Sequence, residues 1–459
     1  MNHADKKMDT IIAYAKRKGF VFPSSEIYDG FAGAYDYGPH GVELANAIKR
    51  HWWRDVVDTK HNVYGLDAAI VMNPKVWVAS GHVGGFSDPL ADCKTCQTRI
   101  RVDKELEKLG VSADEKMSEE EINKLFDEKR EEIVCTKCGS KDFTEARAFN
   151  LLVQSNLGDF SADGSSPVYL RGETCQGIYV NFKNVVDSLH PKIPFGIAQI
   201  GKAFRNEISP RQFLFRTREF EQMEMQYFTK PGEDAAAYAD WKQDRWESFK
   251  NLGISEDRLR WNQHDNLVFY AADAWDIEYN FPDYGFDEVE GLHMRTNYDL
   301  TQHSEHSGKD LSFNDNGDKF IPHVVETSIG VGRVFLAVLS EAYDEEKLED
   351  GDTRVVLHFK PHLAPVQVAV LPLMKKDGLA EGAQEVFASI AGSFRTAYDE
   401  SGSVGKRYRR QDEIGTPFCI TYDYDSKEDN SVTVRDRDSM EQERIPISEL
   451  QSYLLEKIV

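Results

Sequence analysis

One stretch, FRNEISPRQFLFRTREFEQMEMQYF from Phe204 to Phe228, constrains the fold more than any other. It reads as the end of one strand, a Pro-containing loop and a second strand. In the second strand, REFEQMEMQYF, apolar and polar residues alternate as in a half-buried antiparallel strand. The hairpin carries Arg205, Arg211, Arg216 and Arg218 beside Phe215 and Phe220. Arginines held on strands can stabilise charge at a phosphoryl group, and an aromatic nearby can stack on a base. A plainer reading fits the same pattern: Phe220 is core and the arginines pair with Glu219, Glu221 and Glu224. The chain has no G-x-x-x-x-G-K-[ST] loop and no G-x-G-x-x-G opening a helix after a strand. Any nucleotide would therefore be held by side chains on a sheet.

Around this hairpin, strand-like apolar runs recur between 146 and 343: SSPVYL, FGIAQIGKAF and TSIGVGRVFLAVL. Upstream, Val42, Leu44, Ala45, Ile48, Trp52 and Val56 repeat near a 3.6 period after Gly38-Pro39 and predict a helix over Val42 to Val57. Downstream, the acidic DEEKLEDGDT marks a boundary or surface connection. Beyond it APVQVAVLPL, TPFCITYDY and SVTVRDRD read as strands, and EGAQEVFASIAGSFRTAY and ISELQSYLLEKI as helices, of a small α/β domain. The 459 residues divide at 1–91, 92–145, 146–350 and 355–459, the first and third being two parts of one domain.

The segment 92–145 is set apart by its cysteines. Four of the six, Cys93, Cys96, Cys135 and Cys138, form two C-x-x-C pairs. Four thiolates so spaced can close a tetrahedral structural zinc site of the ribbon type, with no open position for chemistry. Between the pairs, the charged stretch Asp103 to Val134 reads as an exposed helical hairpin inserted into a larger domain. Cys175 and Cys419 read as small buried residues. The net charge of -23, from Lys+Arg 55 against Asp+Glu 78, excludes indiscriminate polyanion binding and leaves room for a local basic patch. No run approaches the ~20 apolar residues of a membrane helix, and the N-terminus lacks a secretory layout, so a cytoplasmic protein without a membrane partner is expected.

Together with SIGVGRVFLAVL at Ser328 to Leu339, the hairpin resembles motifs 2 and 3 of class II aminoacyl-tRNA synthetases. RGETCQGIYVNFKNV and FPSSEIYDGFAGAYDYGPHGVELANAIKRHWW extend the likeness over nearly the whole chain, to the homodimeric, glycine-activating family within that class. The resemblance implies an α+β fold: a six- to seven-stranded antiparallel sheet flanked by helices, the zinc-ribbon-like insertion, and a C-terminal α/β anticodon-binding domain. It also implies ATP with Mg²⁺, glycine and tRNA(Gly) as reactants, and a homodimer with the helix near Val42 at its interface.

By the same resemblance Arg205, Arg216 and Arg333 are the catalytic cations. Arg205 would contact the α-phosphate and the glycine carboxylate, and Arg216 the ATP phosphates. Phe220 would stack under adenine, with Arg333 on its other face. Asn206, Glu207, Phe215, Glu288, Val289 and Gly330 complete the expected ATP site, with Glu288 and Glu326 as candidates for Mg²⁺. Glycine has no side chain to grip, so carboxylates must draw its ammonium and crowd Cα. The expected glycine residues are Glu173, Glu224, Glu326 and Ser328, with Arg101, Phe220, Glu221, Gln222 and Gly330. A carboxylate cluster without a cation is costly, so water or a cation is expected in the empty site. His40, His82, His293, His303 and His306 read as structural or surface residues. Gly332 stands before Arg333 where the family usually has an acidic residue. In the C-terminal domain Lys406, Arg407, Arg409 and Arg410 beside Tyr408 are candidates for RNA contact. The alternative function is a catalytically inactive, synthetase-like nucleic-acid-binding subunit.

Overall fold

The computed structural model describes residues 6–111, 117–156, 167–208, 213–265, 267, 270–348 and 351–458. Pro39, placed where a first-turn N–H has no partner anyway, opens helix α1 (Pro39–Trp53), which continues into a π-type turn over Arg54–Asp58. Strand β1 (Val63–Gly65) follows. After the insertion come α2 (Cys175–Leu189), β2 (Phe195–Phe204) and β3 (Glu219–Thr229), then α3 (Asp234–Asn251). Three further strands, β4 (Leu259–Gln263), β5 (Asp273–Phe281) and β6 (Gly285–Thr296), lead to β7 (His323–Gly330) and α4 (Val331–Ala342). The seven strands form one sheet in the order β4-β5-β6-β7-β3-β2-β1. All neighbours are antiparallel except the edge pair β1–β2.

The alternation in β3 sets the two faces of this sheet. Met223 and Met225 join the main apolar core with α1, α3 and α4, while Phe220, Gln222 and Glu224 face the opposite side. That polar side is not a solvated face: Gln222, Glu224 and Gln226 are all buried. TSIGVGRVFLAVL, expected as a strand-like run, is a strand only to Gly330 and a helix beyond. The cause is the unbroken buried run Val334 to Leu339, which has no polar interruption to tell a helix from a buried strand.

The insertion has its own core. Strands Ser87–Asp92, Arg99–Arg101 and Arg147–Asn150 form a small sheet beside the cysteine turns. Helices Val102–Lys108 and Glu119–Lys129 lay Val102, Leu106, Ile122 and Phe126 onto Phe143 and Ile133. The expected charged hairpin is thus seated on the ribbon by its few apolar residues. Its second helix is opened by a capping box between Ser118 and Glu121.

The acidic stretch, expected as a boundary or surface connection, forms a β-hairpin, Tyr343–Lys347 with Thr353–Leu357. Its Arg354 is buried and reaches Asp412 at 2.9 Å and Glu346 at 2.7 Å. The C-terminal α/β domain comprises β8 (Val368–Pro372), α5 (Leu379–Ile390), β9 (Thr396–Tyr398) and α6 (Val404–Ile414), then β10 (Phe418–Tyr422), β11 (Ser431–Asp436), β12 (Gln442–Pro446) and α7 (Leu450–Ile458). Its mixed sheet runs β9-β8-β10-β11-β12. Among the described residues, no helix is long and apolar enough to cross a membrane.

Candidate active site

A cavity of about 260 Å³ opens on the polar face of the sheet, between the ends of β2 and β3 on one side and β6 and β7 on the other. One end is cationic. Arg205, just past β2, donates from Nε to the Gly172 carbonyl at 3.1 Å, with its guanidinium 5.1 Å from the Phe86 ring and 5.4 Å from that of Phe220. Among the described residues no carboxylate pairs with it, so its charge is free to meet an anion. Arg333, in the first turn of α4, binds Glu288 through Oε2 at 2.8 Å and its carbonyl at 3.0 Å, and stands 5.1 Å over the Phe215 ring. Arg216 lies 4.0 Å from Glu207. Gly332 has a steric reason: a Cβ there would come within 2.9 Å of the Leu214 carbonyl, so an acidic side chain would push away the turn carrying Phe215.

The other end is anionic, and its balance of charge is uneven. Glu326 accepts from Arg295 Nη1 at 3.1 Å on both oxygens, from His293 Nδ1 at 2.9 Å and from Gln226 at 2.7 Å. Against burial, which pushes its pKa up, Arg295 and His293 hold it down to about 2. Glu173 accepts from Cys175 Sγ at 2.9 Å and Gln176 at 3.0 Å, and pairs with His82 at 3.3 Å. Against burial, His82 and Arg295 hold it well below the ordinary carboxylate range. Glu224 has only neutral partners: Thr174, Ser328 at 2.8 Å and Gln222 at 3.0 Å. Burial, with Glu326 and Glu173 beside it, pushes Glu224 up to about 7. Among the described residues it is the one carboxylate of the three with no ion pair, Arg171 acting on it only from farther off.

Several residues named from sequence stand elsewhere. Glu221 lies on the opposite face of β3, paired with Lys49 at 3.0 Å, because the strand period of two turns it away from Gln222 and Glu224. Val289 is a core residue, while its neighbour Glu288 lines the cavity. Asn206 donates its N–H to the Leu151 carbonyl and is not among the lining residues. Arg101 pairs with Asp88 at 3.1 Å and Asp103 at 2.6 Å outside the lining, and Arg99 with Asp92 at 2.8 Å. Glu326, with its oxygens already held, is no place for Mg²⁺; Glu288 keeps more exposure. Arg211 lies outside the described residues. In α6 Arg407 is buried and donates to the carbonyls of Asp399, Leu373 and Gly402, and Arg410 pairs with Asp399 at 2.6 Å. Lys406, Arg409 and Arg410 of that basic set remain open toward solvent, Arg409 lying 4.0 Å from Asp352.

The main residue that sequence reasoning missed is Arg295. It is buried, bridges Glu326 to Asp299 at 3.0 Å, and sits 4.0 Å over the Tyr270 ring. The cation expected from outside the carboxylate cluster is therefore part of the chain. His82 and His293, read as structural or surface, touch Glu173 and Glu326. A signal for His293 and Arg295 exists in GLHMRT: Gly291, His293 and Arg295 alternate with Leu292 and Met294, so all three polar-face positions point one way.

The four ribbon thiols converge, all lying within 4.8 Å of one another, with Cys93–Cys138 and Cys96–Cys135 at 3.6 Å. Sulfurs of a tetrahedral zinc site with Zn–S near 2.3 Å stand about 3.8 Å apart, so the donor set fits that ion.

A sheet of this topology, with arginines at the ends of two strands facing a carboxylate-lined recess, defines a class II aminoacyl-tRNA synthetase core. The family model described as the tRNA synthetase class II core domain (G, H, P, S and T) matches residues 159–342, and the anticodon binding domain model matches 367–457. The prolyl-tRNA synthetase of Cryptosporidium parvum shares the fold with a TM-score of 0.62 at 17% identity, over 98% of this chain and 76% of that one. Glycine–tRNA ligases of Treponema denticola and Clostridium acetobutylicum are each 53% identical, over 98% and 99% of this chain and 97% and 99% of theirs. The chain belongs to the glycine–tRNA ligase family.

Proposed function

We propose that this chain activates glycine with ATP and transfers it to tRNA(Gly), with the uncompensated Glu224 as the receiver of the substrate ammonium. The observation that carries this reading is the charge balance of the recess. Glu326 already has Arg295, and Glu173 has the His82 ring beside it, so one added positive charge beside Glu224 completes the set. Ser328 and Gln222 hold that carboxylate where it crowds Cα, which disfavours any substrate with a Cβ. At the other end Arg205 meets the glycine carboxylate and the α-phosphate. A carboxylate oxygen of glycine forms a bond to the α-phosphorus as the bond to pyrophosphate breaks. The charge that builds on the phosphoryl oxygens is met by Arg205, Arg216 and Arg333, and no covalent enzyme intermediate is needed. Glu288 would hold Mg²⁺, which supplies further charge neutralisation at the phosphates. The boundaries 1–91, 92–145, 146–350 and 355–459, a homodimer through α1, tRNA contact by the C-terminal domain and a cytoplasmic setting belong to the same reading.

ATP–pyrophosphate exchange with each amino acid in turn, without tRNA, tests the activity. Glycine alone should support it; exchange with none, from folded protein, would favour the inactive nucleic-acid-binding subunit. The pH profile tests the role of Glu224. Its proton in the empty site must leave before an ammonium can be received, so the glycine KM rises about tenfold per unit below about pH 7 and is flat above it. Glu224→Gln removes the slope and weakens glycine throughout. A wild-type KM without slope between about pH 6 and 8 contradicts this role.

The ribbon thiols are proposed to hold one structural zinc ion. Chelation or Cys135→Ser should release it and open 92–145 to proteases while the sheet keeps its far-ultraviolet signal. Purified protein without zinc would remove the assignment.

A further inference from the structure

We propose that His293 is a positioning residue for the glycine site, acting through Glu326. Its Nδ1–H fixes the carboxylate in the rotamer that leaves room only for a substrate without a side chain. This rests on the glycine reading above.

His293 on β6 stands directly opposite Glu326 on β7 in the antiparallel register, so the two side chains rise from the same face as cross-strand neighbours. Glu326 is ionised and can only accept, so the imidazole nitrogen 2.9 Å from its Oε1 carries the proton. The carboxylate is otherwise held from one side. Gln226 reaches Oε2 at 2.7 Å, and Arg295 touches both oxygens at 3.1 Å from a single nitrogen. Without His293, Oε1 keeps only the longer, shared contact and the group can turn about it. The ring itself is seated firmly: a Cβ on Gly291 would meet its Cε1 at 3.1 Å, so it rests against the β6 backbone. Arg295, Asp276 and Glu288 are the charged groups around it, and Asp276 is engaged by His264 at 2.7 Å. None of them can replace the Nδ1–H on Oε1 from that side.

The test is ATP–pyrophosphate exchange by the full-length protein, titrated with glycine and with alanine. His293→Ala should raise the glycine KM about tenfold, as expected for a lost hydrogen bond to a charged group, with kcat and the ATP KM within about threefold. Alanine activation relative to glycine should rise about fivefold on the same principle. His293→Asn puts an amide N–H where the imidazole Nδ1–H was and should restore most of the glycine KM. His293→Gln puts its N–H at the Nε2 position and should not. A glycine KM unchanged in His293→Ala, or a rescue by Gln as full as that by Asn, overturns the proposal, since filling space would then suffice. Should wild-type protein show no glycine-dependent exchange, the parent reading falls and this one with it; an active wild type beside an indifferent Ala variant sinks this proposal alone.

Discussion

Arg205→Ala lowers glycine-dependent exchange by about two to three orders of magnitude, or about 2.7–4 kcal/mol of transition-state stabilisation. The expectation comes from how the guanidinium is held. Its Nε is tied to the Gly172 carbonyl and its guanidinium carbon is 5.1 Å from the Phe86 ring and 5.4 Å from that of Phe220, so it is positioned before substrate arrives. Arg333 is different, since Glu288 already neutralises part of its charge in the empty site. Arg205→Lys keeps the charge and loses the planar fork, so it should recover only part of the rate. Exchange within threefold of wild type in folded Arg205→Ala protein would show that the phosphoryl charge is met elsewhere.

The second large effect is on stability. Arg295 is the counter-ion of two buried carboxylates, Glu326 and Asp299, and Arg295→Met leaves both without it. Removing one partner of a buried ion pair costs about 3–5 kcal/mol, because the remaining charge keeps its desolvation penalty. Urea unfolding followed by tryptophan fluorescence should show the unfolding free energy of the core transition falling by that amount, with a lower midpoint, and exchange should be lost. Adding Glu326→Gln and Asp299→Asn to Arg295→Met should return much of the stability and none of the activity. A single variant as stable as wild type would mean that these carboxylates take up protons at little cost.

These two arginines also mark what could be read from the chain and what could not. Arg205 could be named because its hairpin resembles motif 2 of the class II synthetases; the alternation alone fits a core Phe220 and paired arginines as well. The four cysteines were legible because two C-x-x-C turns have few other uses in a chain with only two further cysteines. Arg295 was hidden because the strand carrying it is buried on both faces, and its polar neighbours look like an ordinary solvated side. In β3 the alternation alone reads as a half-buried strand, and the resemblance is what puts Gln222 and Glu224 in the recess they line. Helix α4 was hidden by its unbroken buried run from Val334 to Leu339. DEEKLEDGDT reads as a boundary or surface connection, and nothing local announces that Arg354, within the same hairpin, turns inward to Asp412. Arg407 shows the reverse error: a cluster of cations in sequence, one of which spends its charge on backbone carbonyls. Long-range partners decide each of these cases, and a window of neighbouring residues does not contain them.

The buried joint at Arg354, Asp412 and Arg435 has a mechanical meaning. Asp412 is fully enclosed and held by both guanidiniums, at 2.9 Å from each. Tyr14, in the helix Met8–Arg17, and Lys18 just past its end grip Glu413 next to it. The C-terminal domain is therefore bolted to the synthetase core, not hung from a tether. Under the proposed function, a tRNA reaching the recess with one end and the C-terminal sheet with the other would be gauged between two parts joined by these contacts. Loosening that joint would leave amino-acid activation intact and blur the measurement.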